Sequence, residues 1–421
     1  MILNYFIQLL FNLLSNIILF FLHFFDLNDI LFGHNASPYF LKIKYCALYY
    51  KKKISYIPED SNSTIYNLII YILTKIFSYG IALNPKCNYH PIYDGKGKGN
   101  MPVMPYYITN YGGFFDSKQI IRYWDNENLL PNPYSIIKKN YKKFITPTYF
   151  LISLFEFYFD EWWQCAGGYH QRWYNSKDIS SITVTNSIFE NFISKLIFSK
   201  NIINHEKKKK KFIDRQLSRL EYHLSYDKIS RELLDGSFKN TLKALEKIYE
   251  KQSFLLGDKI SLADISLFGW MKAQNIFNLK CEKDYKELSP NLYKCWQNFD
   301  SNPNLFNENI SEYYISTNIL QDFMNEIIQT LLPLQYYNLK EFAKLIKNNH
   351  KYFNEFGQKK FTCFIKNKSI TYFVKSFQAK AWLNIKNNWR NLSTNGQKIV
   401  LNCISTDLDS KNIELFLKYI H

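Results

Sequence analysis

Hydrophobic and polar positions divide the chain into three stretches. Met1 to Phe25 holds no charged side chain, the first being Asp26, and its Leu, Ile and Phe content makes it long and apolar enough to cross a bilayer as one helix. Shorter patterns follow. Ile30-Leu31-Phe32 reads as a buried strand, His34-Asn35-Ala36-Ser37-Pro38 as a turn, Tyr39 to Lys51 as a helix and Ile54 to Ile57 as a second strand. Ser37 before Pro38 opens that helix, because a Ser hydroxyl caps free N–H groups and Pro is suited to a first turn. Ile65, Leu68, Ile69, Ile72, Leu73, Ile76 and Phe77 recur at helical spacing, and Lys75 among them argues against a second membrane span. From about Leu129 the pattern becomes long helices, with one short hairpin expected through Phe361 to Val374. Within it, Ser261-Leu262-Ala263-Asp264 has the spacing of a capping box, with Ile260 and Ile265 at the staple positions. No internal repeat is visible.

The apolar start predicts an uncleaved membrane anchor. A cleaved signal would need a basic start and a small-residue cleavage site, and the first Ala is Ala36. Asn4, Gln8, Asn12 and Asn16 line one helical face with amides, which also suits packing on a partner or lying in the interface. Lys42, Lys44 and Lys51 to Lys53 follow, so positive-inside logic puts the folded part in the cytosol without saying which membrane holds it.

Composition narrows the class. At 421 residues, 47% hydrophobic and 18% aromatic, with 14 Gly and 12 Pro, the chain is neither disordered nor collagen-like and is long enough for two or three domains. The net charge of +17 comes with abundant Lys, Asn, Ile, Tyr and Phe, a bias that explains it without a nucleic-acid partner. Lys207 to Lys211 reads as a solvated loop, having none of the interleaved aromatics that stack bases. Lys96 and Lys98 among Gly95, Gly97 and Gly99 lack the G-K-[ST] ending of a phosphate loop and read as a turn. Seven scattered cysteines with no C-x-x-C pair favour a reduced compartment, and no Cys/His cluster predicts a metal site.

Several motifs together resemble the glutathione S-transferase superfamily. They are Ala36-Ser37-Pro38-Tyr39 with Lys42; Met104-Pro105-Tyr106-Tyr107-Ile108, Gly112 and Asp116-Ser117; the Ser261–Asp264 box; and Pro290-Asn291-Leu292 with Trp296. Asp160-Glu161-Trp162-Trp163 with Arg172-Trp173, and later Leu331-Leu332-Pro333 and Phe377 to Trp382, resemble a little-characterised group of that superfamily with a C-terminal extension. The likeness runs from about residue 28 to the end. It implies an α+β thioredoxin-like, glutathione-binding domain over 28–128, an all-α transferase-type C-terminal domain over 129–310 and a helical extension over 311–421, after the hydrophobic N-terminal helix of 1–27.

The resemblance also implies roles. Pro105 would be a cis-proline, leaving the backbone of Met104 free to pair with bound glutathione. Asp116 would take the ligand's ammonium, and Ser117 would hold a carboxylate at a helix N-terminus. Ser37 would donate its hydroxyl to the thiolate and so raise the thiolate fraction at neutral pH. Serine-type members often space Ser and Pro by one residue, so Asn35 and Tyr39 are the alternative donors. Trp162, Tyr169, Arg172 and Trp173 either floor a pocket for an apolar electrophile or form an aromatic core with Arg172 paired to Asp160 or Glu161. The expected partners are glutathione, a hydrophobic electrophile and a membrane, with a homodimer left open and no metal or nucleic acid. Three activities fit: glutathione conjugation, a non-catalytic membrane protein of metaxin type, and a glutathione-dependent reductase or peroxidase. The last is disfavoured by Ser37 standing where thiol exchange needs Cys.

Overall fold

The computed structural model describes residues 29–33, 37–57, 105–109, 112–115, 117–126, 145–174, 227–277, 279–303, 306, 313–347, 359–407 and 410–421. The apolar segment Met1 to Phe25, the helix read at Ile65 to Phe77, the glycine turn at 95–99 and Lys207 to Lys211 lie outside these residues. Among the described residues no helix is long and apolar enough to cross a membrane. They fall into two compact units, one within 29–126 and the other within 145–174 and 227–421.

The first unit is a four-stranded mixed sheet with two helices. Strand β1 (Asp29–Phe32) leads to helix α1 (Pro38–Tyr49) and strand β2 (Ser55–Ile57), and a hairpin of β3 (Tyr106–Thr109) and β4 (Gly112–Phe115) leads to α2 (Ser117–Asn126). The order is β2-β1-β3-β4, with β1 parallel to β2 and antiparallel to β3. Ile30 and Leu31 of β1, Phe40, Leu41 and Ile43 of α1, and Ile120 and Trp124 of α2 are buried, and the two helices pack together. Gly33 permits the closest approach, since a Cβ there would stand 2.2 Å from Cδ2 of Phe40. Helix α1 ends at Tyr49, two residues short of the sequence expectation, because Lys51 turns into the left-handed region at φ 53°.

The lysines behind the orientation argument belong to this unit. Lys42 is buried in α1, and Lys52 pairs with Asp29 at 2.8 Å. Folding explains the positions of these two, while Lys51 and Lys53 are exposed.

Among its described residues the second unit is helical apart from one hairpin. Its elements are α3 (Pro147–Phe157), α4 (Lys228–Tyr249), α5 (Leu262–Phe277), α6 (Leu279–Leu288), α7 (Pro290–Ser301), α8 (Thr317–Gln329) and α9 (Leu331–Lys347). Strands β5 (Lys360–Ile365) and β6 (Lys368–Phe373) follow, then α10 (Ser376–Arg390), α11 (Thr394–Asn402) and α12 (Lys411–Ile420). The hairpin turns at Lys366 and Asn367, both at positive φ (47° and 62°), which matches the right-handed twist of its strands. Ser261 to Met271 are buried without a break, so α5 is the central helix, enclosed on all sides.

After Phe157 the chain leaves α-helical geometry for π-helical turns over Tyr158–Trp162 and Gln164–Tyr174. Such stretches are uncommon and mostly a single turn long. Gly167 and Gly168 let it lie close to α5: a Cβ on the first would meet Trp163 and Gln274, and on the second Trp270. The C-terminal extension is part of the same core. Phe157 stacks on Trp382 at 6.1 Å, Phe150 meets Trp389 at 5.6 Å, and Ile145 bridges to Leu392.

Candidate functional site

Strand register gathers several sequence-predicted residues at one end of the sheet. Phe32 lies opposite Tyr106, and Tyr106 opposite Phe115, so the end of β1, the start of β3 and the end of β4 coincide. Ser37 opens α1 just beyond β1, Pro105 stands immediately before β3, and Ser117 begins α2 two residues after β4. All three are buried, Ser37 at 8% exposure and Ser117 at 3%. Two helix N-termini therefore lie at the same end of the sheet as Pro105, and the positive ends of their dipoles suit anionic groups. Met104 and Asp116 lie outside the described residues, and the isomer of the Met104–Pro105 bond with them.

Ser37 is the N-cap of α1, with φ −96° and ψ 116°, and its Oγ accepts from the amide of Phe40 at 3.4 Å. The cap and the activating role are compatible. Capping uses a lone pair of the hydroxyl, whereas stabilising a thiolate uses its proton.

The Asp-Glu-Trp segment occupies the middle of the second unit. Tyr158 hydrogen-bonds Thr241 at 2.6 Å, Asp160 accepts from the Ser266 hydroxyl at 2.7 Å, Glu161 accepts from the Gln378 amide at 2.6 Å, and the Trp162 indole donates to Ser237 at 2.8 Å. Ser237 in turn donates to Glu326 at 2.6 Å, whose other oxygen pairs with Lys366 at 2.6 Å. One π-helical turn thus binds α4, α5 and α10 at once.

Of the two readings of Trp162, this arrangement favours the aromatic core, since its side chain is fully enclosed and its donor is taken. It packs as core. Tyr169 is half-buried on the same run, and the side chains of Arg172 and Trp173 lie outside those described. Sequence reasoning assigned no contact to His170, Gln171 or Gln378. His170 and Gln171 both meet Asp235, at 2.8 and 3.1 Å, and nothing local marks that contact in the sequence.

Ser261 and Asp264 make the reciprocal bonds of a capping box, with Asp264 N–H to the Ser261 hydroxyl at 3.3 Å and Ser261 N–H to the Asp264 carboxylate at 2.8 Å. The Asp does more than the motif requires. It also accepts from the Leu255 amide at 2.8 Å and the Tyr249 hydroxyl at 2.7 Å. Burial raises its carboxyl pKa, and these hydrogen bonds oppose that rise. Among the described residues no group of three or more His, Cys, Asp or Glu side chains could hold a metal ion.

Residues 203–303, which include this box, match the family described as Glutathione S-transferase, C-terminal domain. That stretch, about a quarter of the chain, is similar to the C-terminal domain of glutathione S-transferases. Among solved structures the chain is similar to a glutathione S-transferase from Rhodospirillum rubrum F11, at 13% identity and a TM-score of 0.33 over 69% of this chain and 97% of that one. It is also similar to a glutathione S-transferase from Methylobacillus flagellatus KT with GSH bound, at 16% identity and a TM-score of 0.28 over 64% and 94%. No curated protein matches the chain.

Proposed function

We propose that the protein binds glutathione at the end of the β2-β1-β3-β4 sheet and conjugates its thiolate to an apolar electrophile. The carrying observation is the convergence of Ser37, Pro105 and Ser117 at one sheet end, in the same chain as a transferase C-terminal domain. The mixed sheet, with its parallel β1-α1-β2 unit and β3-β4 hairpin, supports reading the first unit as thioredoxin-like. In this reading glutathione's backbone pairs beside Pro105, and Asp116 and Ser117 hold its charged end. The Ser37 proton then stabilises the thiolate. Ser37→Ala should leave glutathione affinity nearly intact but reduce the conjugation rate. It should also shift the lower limb of the pH–rate profile upward, because the hydroxyl favours only the ionised thiol. A wild-type rate that merely tracks free thiolate would remove the catalytic half of the proposal.

A second reading, a non-catalytic transferase-fold protein of a membrane similar to metaxins, draws on the uncharged run Met1 to Phe25. Retention on immobilised glutathione separates the two. Removal of residues 1–25 addresses the anchor: full-length protein should pellet with membranes on ultracentrifugation and the truncated chain should not. Full-length protein that stays in the supernatant rules the anchor out.

A further inference from the structure

The two helices whose N-termini meet at one end of the sheet are tied together toward their other ends by one side chain. Helix α1 closes in a turn made by the backbone alone. The Lys51 amide donates to the Leu48 carbonyl at 3.1 Å and the Lys52 amide to the Ala47 carbonyl at 2.8 Å, with Lys51 at φ 53°. These are the paired bonds that commonly end a helix on a left-handed residue. The turn fixes the point from which the Lys52 side chain leaves the backbone. Its ammonium lies 2.8 Å from the Asp29 carboxylate at the start of β1 and 5.7 Å from the centre of the Trp124 ring of α2.

Both contacts are shielded from water. The Lys52 and Asp29 side chains are 12% and 23% exposed, and Trp124 is fully buried. A carboxylate and an aromatic face attract an ammonium more strongly where water competes less. Tyr107 of β3 meets the same indole edge-on at 5.4 Å. Trp124 in turn sets the roll of α2. Ser117, Ile120 and Trp124 stand at i, i+3 and i+7 and are all buried, so they form one stripe down the helix. Holding the indole therefore holds Ser117, about 10 Å away along the axis. A roll of α2 by about 20° would carry a side-chain atom about 5 Å from the axis through roughly 2 Å, more than a hydrogen bond tolerates.

We propose that Lys52 is a positioning residue: by bridging Asp29 and Trp124 it fixes the orientation of α2 and so aims Ser117 and the α2 N-terminus at the charged end of glutathione. The ligand half of this rests on the glutathione reading above, whereas the hold on α2 is a property of the free protein. Lys52 stands at the opposite end of α1 from Ser37, about 18 Å along the helix, and acts only through Trp124. Because backbone bonds close α1, changing the Lys52 side chain leaves Ser37 in place.

Two substitutions in the full-length protein test it. Lys52→Met keeps an apolar stem and removes the charge, and Lys52→Arg keeps the charge. In the free protein, amide hydrogen exchange across α2 should be faster in Lys52→Met than in wild type, little changed in α1, and restored in Lys52→Arg. With glutathione and a model electrophile, Lys52→Met should raise the KM for glutathione at least roughly fivefold, the lower end of coupling between separated sites, and leave kcat as in wild type. Lys52→Arg should restore KM. A merely structural role lowers kcat with the folded fraction and leaves KM alone. Asp29→Asn, which loosens the anchor of the ammonium, should raise KM in the same direction and serves if Lys52→Met does not fold. Unchanged exchange in α2, or unchanged KM in a folded variant, overturns the proposal. Wild-type protein that binds no glutathione overturns the reading beneath it, and α2 exchange then decides the hold by itself.

Discussion

Replacing Asp264 with Ala should cost the protein far more than a helix cap ordinarily does. The carboxylate is fully buried at the start of α5, the central helix of the second unit. One oxygen accepts from the Tyr249 hydroxyl and the Leu255 amide, the other from the Ser261 amide, with a further short contact to the Ser261 hydroxyl. Alanine leaves three donors, Tyr249 Oη, Leu255 N and Ser261 N, without acceptors in a space closed to solvent. At roughly 1–2 kcal/mol for each stranded neutral donor, the loss is about 3–6 kcal/mol. That is a large part of the roughly 5–15 kcal/mol by which domains are stable. It corresponds to a fall of roughly 6–24 °C in melting temperature for a unit of this size. Thermal unfolding followed by circular dichroism measures it. Asp264→Asn should fall between, since the amide keeps one accepting oxygen but turns its NH2 toward the Ser261 amide. A loss for Asp264→Ala near the ~1 kcal/mol of a simple cap would refute the reasoning, because the Tyr249 and Leu255 bonds would then contribute nothing.

Other substitutions separate burial from surface chemistry. Lys366→Ala strands the buried Glu326 carboxylate and should destabilise by about 3 kcal/mol, whereas replacing both partners with Met should cost much less; equal losses would contradict the pairing. Gly168→Ala pushes a methyl into the Trp270 ring and should cost about 1–3 kcal/mol, while Gly236→Ala, with nothing within 4 Å, should stabilise α4 by up to about 1 kcal/mol. Urea midpoints for the two glycine variants should therefore move in opposite directions. A chain ending at Ser316 loses the partners of Glu161, Phe157 and Phe150, and should not give a cooperatively folded second unit by calorimetry.

Local signals carried most of what was legible in the sequence. The Ser37-Pro38 cap, the short apolar strands at 30–32 and 54–57, the capping box and the hairpin near 361–374 each depend on residues a few positions apart, and each element formed within a residue or two of its expected place. The π-helical run was not legible. Hydropathy repeats distinguish a period of 3.6 from 2 but do not register a shift from i+4 to i+5 bonding. The fate of Trp162 was also hidden, because an aromatic that floors a cleft and one that fills a core look alike until Ser237, 75 positions away, is seen to take its indole proton. Glu161 and Gln378 are 217 positions apart, which explains why an extension that looked appended is part of the core. At the sheet end Ser37, Pro105 and Ser117 come together because β1, β3 and β4 each begin or end there.

The central claim is that this sheet end binds glutathione, and isothermal titration calorimetry of the full-length protein with reduced glutathione tests it most directly. The account predicts saturable one-site binding, weakened by roughly 1–3 kcal/mol in Asp116→Ala, the range for a hydrogen bond to a charged group, and nearly unchanged in Ser37→Ala. Absence of binding to a folded wild-type protein, or equal affinity in wild type and Asp116→Ala, would contradict it.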